Sequence, residues 1–268
     1  MSFLDHLEEL RWHLIRAVIA IFIFSIAAFI SVDFIFNTVI FGPAKVDFWT
    51  FRMLCKLGDL VHSPALCIQT LDFKLQSRQM TGQFTMHITS SFVIGLIVAF
   101  PYVFWEFWRF VSPGLQMTEK AISRGAVFSV TVLFALGVMF GYFIMAPLAV
   151  SFLSGYHVSD LVHNEFDITS YISTLSSLVL GSGLLFQLPI VVYFLSKIGI
   201  VTPSLMRSYR KHAIVVILIL GAVFTPPDPL SQILISLPLF GLYQFSIFIS
   251  AYVHKKAERL AKKNQLNA

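Results

Sequence analysis

The chain has 268 residues, 57% of them hydrophobic and only 12% charged, with a net charge of +5 and a mean hydropathy of +0.79. Soluble domains carry about 25% charged residues, so the composition excludes an ordinary soluble domain. It implies an all-α polytopic membrane protein with room for six helical spans. The sequence holds no GxxxxGK[ST] phosphate loop and no HExxH zinc motif. The first apolar run is too long for a signal-peptide h-region and lacks a small-residue cleavage site after it, which argues against a cleavable leader.

The chain opens on MSFLDHLEELRWHL. Ser2 and Asp5 stand at capping-box spacing, and Asp5 falls in a first turn, where the helix dipole favours acids. Glu8 has Arg11 three residues on, a helical pairing distance. Glu9 lies two turns in, beyond the reach of the dipole, and has His13 at i+4 but no constant cation. An unpaired acid at a membrane interface is a candidate site for a basic ligand.

Six apolar segments follow: 17–40, 87–107, 125–149, 168–195, 213–224 and 230–252. Each must be helical, because hydrocarbon offers no water to the backbone. The fifth and sixth are joined by TPPDP at 225–229, whose prolines cannot continue a helix. The fifth is too short for the ~30 Å hydrocarbon core, which predicts a tight hairpin with short last helices. Asp228 in this joint reads equally as a turn residue or a functional group.

Of the 19 Lys and Arg residues, those outside 41–86 all fall before the first segment, between the second and third, between the fourth and fifth, or after the sixth. The positive-inside rule therefore places both termini, with a basic tail over 253–268, in the cytoplasm. Loop 41–86 is too long for a simple connection and is expected to form a cap on the outer face of one membrane domain spanning 1–268. Both cysteines, Cys55 and Cys67, lie in this loop. An oxidising outer face permits a disulfide between them, and spacing alone leaves free thiols as an equal alternative.

The span centres carry no ionisable residue, unlike ion-coupled transporters. The polar exception is Gln187 in GSGLLFQLPIVV, read either as a packing residue or as a contact for a partner helix. Between the second and third segments runs YVFWEFWRFVSPGLQMTEKAISR. Trp105 and Trp108 are interface anchors by type, Glu106 and Arg109 can pair on a helix, and Glu119 follows the Ser112-Pro113-Gly114 helix stop. The acidic and histidine residues of loop 150–167 (His157, Asp160, His163, Glu165, Asp167) read as a solvated loop in preference to a metal site.

HLEELRWHL at 6–14 resembles the amino-terminal HLxELRxRL signature of the TatC family, the multispanning component of the twin-arginine protein translocase. WRFVSPGLQMTEK at 108–120, FQLPI at 186–190 and FTPPDPLSQ at 224–232 resemble that family's first cytoplasmic loop, fourth span and last outer loop. The likeness covers nearly the whole chain. It implies a receptor in a bacterial inner membrane with no catalytic residues, cofactor or metal. It implies binding of twin-arginine signal peptides on folded cargo, export driven by the proton motive force, and assembly with single-span TatA/TatB-type partners. By position it assigns Glu9, Glu119, Arg11 and Phe110 to signal-peptide recognition, with Glu106 close enough to contribute. It assigns Gln187, where many members carry glutamate, to partner contact. Asp228 matches an outer-loop aspartate and Pro43 a loop proline. The competing classes are a small-solute secondary transporter, which would show a midplane site and an internal repeat, and a lipid-modifying membrane enzyme.

Overall fold

The computed structural model describes residues 3–63, 67–68, 70–71, 73–111, 117–159, 164–224 and 229–266. α1 runs unbroken over Phe3–Ile30, so the helix starts well before the apolar run expected to open at Ala17. Hydropathy marks where a helix enters lipid, whereas Leu7, Leu10 and Leu14 carry the same helix through the charged turns. At 1.5 Å per residue it is about 42 Å long, longer than the bilayer core. Beyond Ser31, the short α2 (Val32–Phe34) leads into a π-helical turn over Ile35–Ile40.

α4 (Gly82–Val111) returns against α1. Their backbones touch at Gly95, where a Cβ would lie 2.2 Å from Ser25 Oγ and 2.6 Å from Ser25 N. Ser25 in turn donates to Ile21 O within its own helix (2.8 Å). This small-residue crossing brings two long helices together where no hydrophobic effect drives them. Further along, His87 stacks on Phe29 with ring centroids 4.0 Å apart.

α5 (Met117–Phe140) passes through a π-helical stretch at Gly141–Met145 into α6 (Ala146–Gly155). Gly137 and Gly141 allow it to pack on α7 (Ile168–Leu185), and a Cβ at either would collide with the Ser182 or Leu178 carbonyl. The fourth segment, expected to be continuous over 168–195, is broken. α7 ends at Leu185 and α8 (Leu188–Lys197) begins after Phe186 and Gln187. Pro189 has no N–H to give, which removes one bond of the ladder, and Gln187 N bonds instead one residue short, to Leu184 O.

After the short α9 (Pro203–Ser208) comes α10, Arg210–Phe224, at 15 residues roughly 22 Å long. α11 (Pro229–Leu266) tolerates Pro238 and extends as helix into the basic tail. Ser196 of α8 donates to Ser250 (2.8 Å) and Tyr243 donates to Met206 O (2.7 Å), fastening α11 to α8 and α9. Among the described residues, five helical stretches are long and apolar enough to cross a membrane: 7–30, 82–111, 127–155, 168–197 and 236–256. α10 is shorter than these. Residues 225–228 of the joining turn, with Asp228, lie outside the described residues.

The 41–86 region is an ordered cap. It holds α3 (Trp49–Val61), a disulfide between Cys55 and Cys67, and strand β1 (Lys74–Gln76). β1 pairs in parallel with β2 (Glu165–Asp167), Lys74 opposite Glu165, so the two long loops of this face are joined by a ladder. Asp167 then caps α7 by accepting from the Thr169 amide (3.0 Å), which holds its carboxyl below the usual carboxylate value. Pro43 is fully buried near the end of the first span.

Two tyrosines complete the backbone there. Tyr171 donates to Ile40 O (2.7 Å) and Tyr142 to Val39 O (2.8 Å). Where the π-turn stops, its last carbonyls have no helical N–H and no water, so these phenols supply the missing donors. Tyr171→Phe is expected to leave a buried carbonyl unpaired and to destabilise the protein by about 1–3 kcal/mol. Thermal unfolding in detergent checks this, with the exposed Tyr209→Phe expected to be neutral.

Candidate functional site

The face that carries the start of α1 and the end of α4 concentrates the polar groups. Glu106 is 1% exposed. A buried carboxylate needs partners, because desolvation of an unpaired charge costs several kcal/mol. His13 Nδ1 lies 2.5 Å from Glu106 Oε2, Arg16 lies 3.9 Å from the same oxygen, and Arg109 lies 3.7 Å from Oε1. His13 is itself buried. The cluster ties α1 to α4 across 93 residues of sequence.

Arg109 is shared with an aromatic surface, its guanidinium standing 4.9 Å from the Trp105 ring centroid. Trp108 is buried against Phe194 of α8 (5.1 Å between centroids). Phe110 is half-buried, its ring 6.3 Å from that of His13. The end of α4 is thus fixed on both sides, by ions toward α1 and by rings toward α8.

Glu9 occurs one turn before His13 on α1 and is half-buried, while Glu8 and Arg11 are exposed. Among the described residues Glu9 forms no ion pair. Residues 112–116 lie outside the described residues, as does the Glu119 side chain, although the Glu119 backbone belongs to the first turn of α5. The structure therefore brings Glu9, Phe110 and Glu106 to one end of the α1–α4 pair. Glu106 meets Arg109 as the helical spacing predicts, but its principal partner is His13, 93 residues away in sequence. The available signal was a histidine one turn beyond Glu9 on the same helix, with an acid on the antiparallel return.

Gln187 sits in the α7–α8 break. Its amide donates to Val130 O (3.2 Å) and Gly183 O (3.5 Å), while its carbonyl oxygen is buried with no partner among the described residues. It both packs α5 against α7 and keeps one acceptor unused.

Among the described residues, five helical stretches long and apolar enough to cross a membrane define a polytopic membrane protein. Residues 5–238 match the family model for the Sec-independent protein translocase protein TatC. The chain is 43% identical to the TatC protein of Blattabacterium sp. subsp. Periplaneta americana over 96% of its length and 97% of the relative's. It is 33% identical to that of Aquifex aeolicus, over 98% of this chain and 100% of the relative. A crystal structure of the twin-arginine translocase receptor TatC superposes with a TM-score of 0.69 at 33% identity, covering 93% of this chain and 99% of that one. The chain belongs to the TatC family, the protein-transport component of the Sec-independent translocase, and is a multi-pass membrane protein without an enzymatic role.

Removing His13 takes the principal partner from the buried Glu106. His13→Ala is expected to destabilise the protein by about 3–5 kcal/mol, and the double change His13→Leu with Glu106→Leu to recover most of that loss. Denaturation of the purified variants in detergent gives the measurement.

Proposed function

We propose that the α1–α4 end is the cytoplasmic docking site for twin-arginine signal peptides, with Glu9 and Glu119 as the two carboxylates. Guanidinium gives carboxylate two parallel charge-assisted hydrogen bonds, a geometry that lysine does not match. Two acids on separate elements, one on α1 and one at the start of α5, suit two adjacent arginines. The observation that carries the reading is the contrast between two acids of one surface. Glu106 is buried and saturated by partners within the chain, whereas half-buried Glu9 forms no ion pair among the described residues. Partial burial lowers the effective dielectric and strengthens pairing with an incoming arginine.

In this reading Glu106 serves by position. It holds α1 in register against α4, and so sets Glu9 one turn from the His13–Phe110 ring contact. Arg11, exposed on α1, and Phe110 frame the approach of the peptide. The charge distribution supports cytoplasmic termini and a six-helix topology in which α10 and α11 form the last hairpin. Pro43, buried near the end of the first span, serves the opposite face by fixing where the outer cap begins, and Asp228 is a further candidate by its family motif.

Gln187 supplies the contact for single-span TatA/TatB-type partners. Its unpaired carbonyl oxygen supports this role, because a buried acceptor in a membrane bundle gains most from a donor on a neighbouring helix. Assembly with such partners accounts for passage of folded cargo on the proton motive force, for which this chain needs no nucleotide site.

The combined change Glu9→Ala and Glu119→Ala is expected to abolish photocrosslinking of a twin-arginine peptide while membrane insertion persists. Undiminished crosslinking would remove both residues from the site. Separately, Gln187→Leu is expected to reduce copurification of a TatA-type partner severalfold and to spare peptide crosslinking. Equal copurification would leave Gln187 as a packing residue.

A further inference from the structure

At 3.6 residues per turn, α3 divides into three sectors. Phe51, Leu54 and Gly58 face the protein, Arg52, Lys56 and Asp59 form a charged sector, and Trp49, Met53, Leu57, Leu60 and Val61 make an exposed apolar stripe. Leu60 is 78% exposed and Leu57 49%. A helix inside a water-bathed cap would place polar residues where this stripe runs.

The stripe is continuous with the membrane-facing surface of the third span. Trp49 shares one apolar groove with Leu136, Met139, Phe143 and Ile144, and its ring lies 5.7 Å from that of Phe143. Leu136, Met139 and Ile144 are exposed on a helix that crosses the membrane, so lipid covers them. The same medium reaches Trp49, at the first turn of α3. The disulfide from Cys55, on the side of α3 opposite the stripe, to Cys67 ties that side to the following chain. Thr50 donates to Phe143 O, anchoring the N-terminal turn on the same span.

We infer that α3 is an interfacial membrane helix. It lies in the plane of the bilayer on the face opposite the α1–α4 docking end, with Trp49, Met53, Leu57 and Leu60 inserted among the lipid chains. Amphipathic helices of this kind bury the apolar side at the headgroup–acyl boundary and keep cations at headgroup level. Arg52 and Lys56 stand beside the stripe at the height of the phosphates, and their stems can follow the apolar surface outward. The occupant of the stripe is thus lipid, with anionic headgroups favoured by the two cations. The role follows from the placement: α3 fixes the level of the cap, and through β1 and β2 the start of α7, relative to the membrane surface.

Nitroxide labels at Met53→Cys, Leu57→Cys, Leu60→Cys and Asp59→Cys of the full chain test this directly, in vesicles of phosphatidylcholine and phosphatidylglycerol. Because Cys55 and Cys67 are bonded, each introduced thiol is the one labelled. Residues 53, 57 and 60 should lose accessibility to a water-soluble nickel complex while gaining collisions with oxygen, and residue 59 should show the reverse. Nickel access at 57 and 60 equal to that at 59 would place the stripe in water and overturn the inference. Exclusion of both reagents from 53 and 57 would mean that protein covers the stripe, and would overturn it equally. If one variant fails to insert, the remaining stripe positions carry the same reading.

Discussion

The arrangement of this protein depends on one buried carboxylate. Glu106 lies at the end of a membrane-crossing helix with almost no exposed surface, and its charge is acceptable only because His13, Arg16 and Arg109 surround it. Two of those partners belong to α1. The ion cluster therefore sets the register of α1 against α4 at one end, as the Gly95–Ser25 contact sets their separation in the middle. A hydrophobic pair at the same place would hold the helices as well. What the charges add is a fixed end, with Glu9 one turn away from the cluster on α1 and forming no ion pair among the described residues.

The other face answers the same constraint by different means. Membrane helices must end with their carbonyls satisfied, and the first span ends on an irregular π-turn. Tyr142 and Tyr171 donate to its last carbonyls, Thr50 donates to the third span, and a short parallel ladder joins the two outer loops. The break in the fourth span follows from Pro189, and it leaves Gln187 with an unused acceptor at membrane depth. Irregular backbone here coincides with polar groups that tie one helix to the next.

Much of this was legible in the sequence because lipid leaves few choices. Apolar runs located the membrane helices. The ordered motifs around Glu9, Phe110 and Gln187 pointed to the TatC family before any coordinates. The start of α1 was legible in the capping spacing around Asp5, although hydropathy alone marks only the later point where this helix enters lipid. The break at 186–187 was concealed by an unbroken apolar pattern around a proline. The His13–Glu106 bond lay beyond reach because it joins residues distant in sequence, and periodicity shows which face of a helix is apolar but not which side chain it meets. The cysteine pair was undecided for the same reason: spacing in sequence does not fix spacing in space.

In the proposed docking role, Glu9 recognises arginine by the planar fork of its guanidinium and not by charge alone. The most direct test compares equilibrium affinity for a twin-arginine peptide and its twin-lysine counterpart, on the unaltered chain and on Glu9→Gln. The account predicts that the unaltered chain prefers arginine by at least about tenfold, ~1.4 kcal/mol. It further predicts that Glu9→Gln loses most of that preference while keeping the fold. An arginine preference of the same size in Glu9→Gln would contradict it.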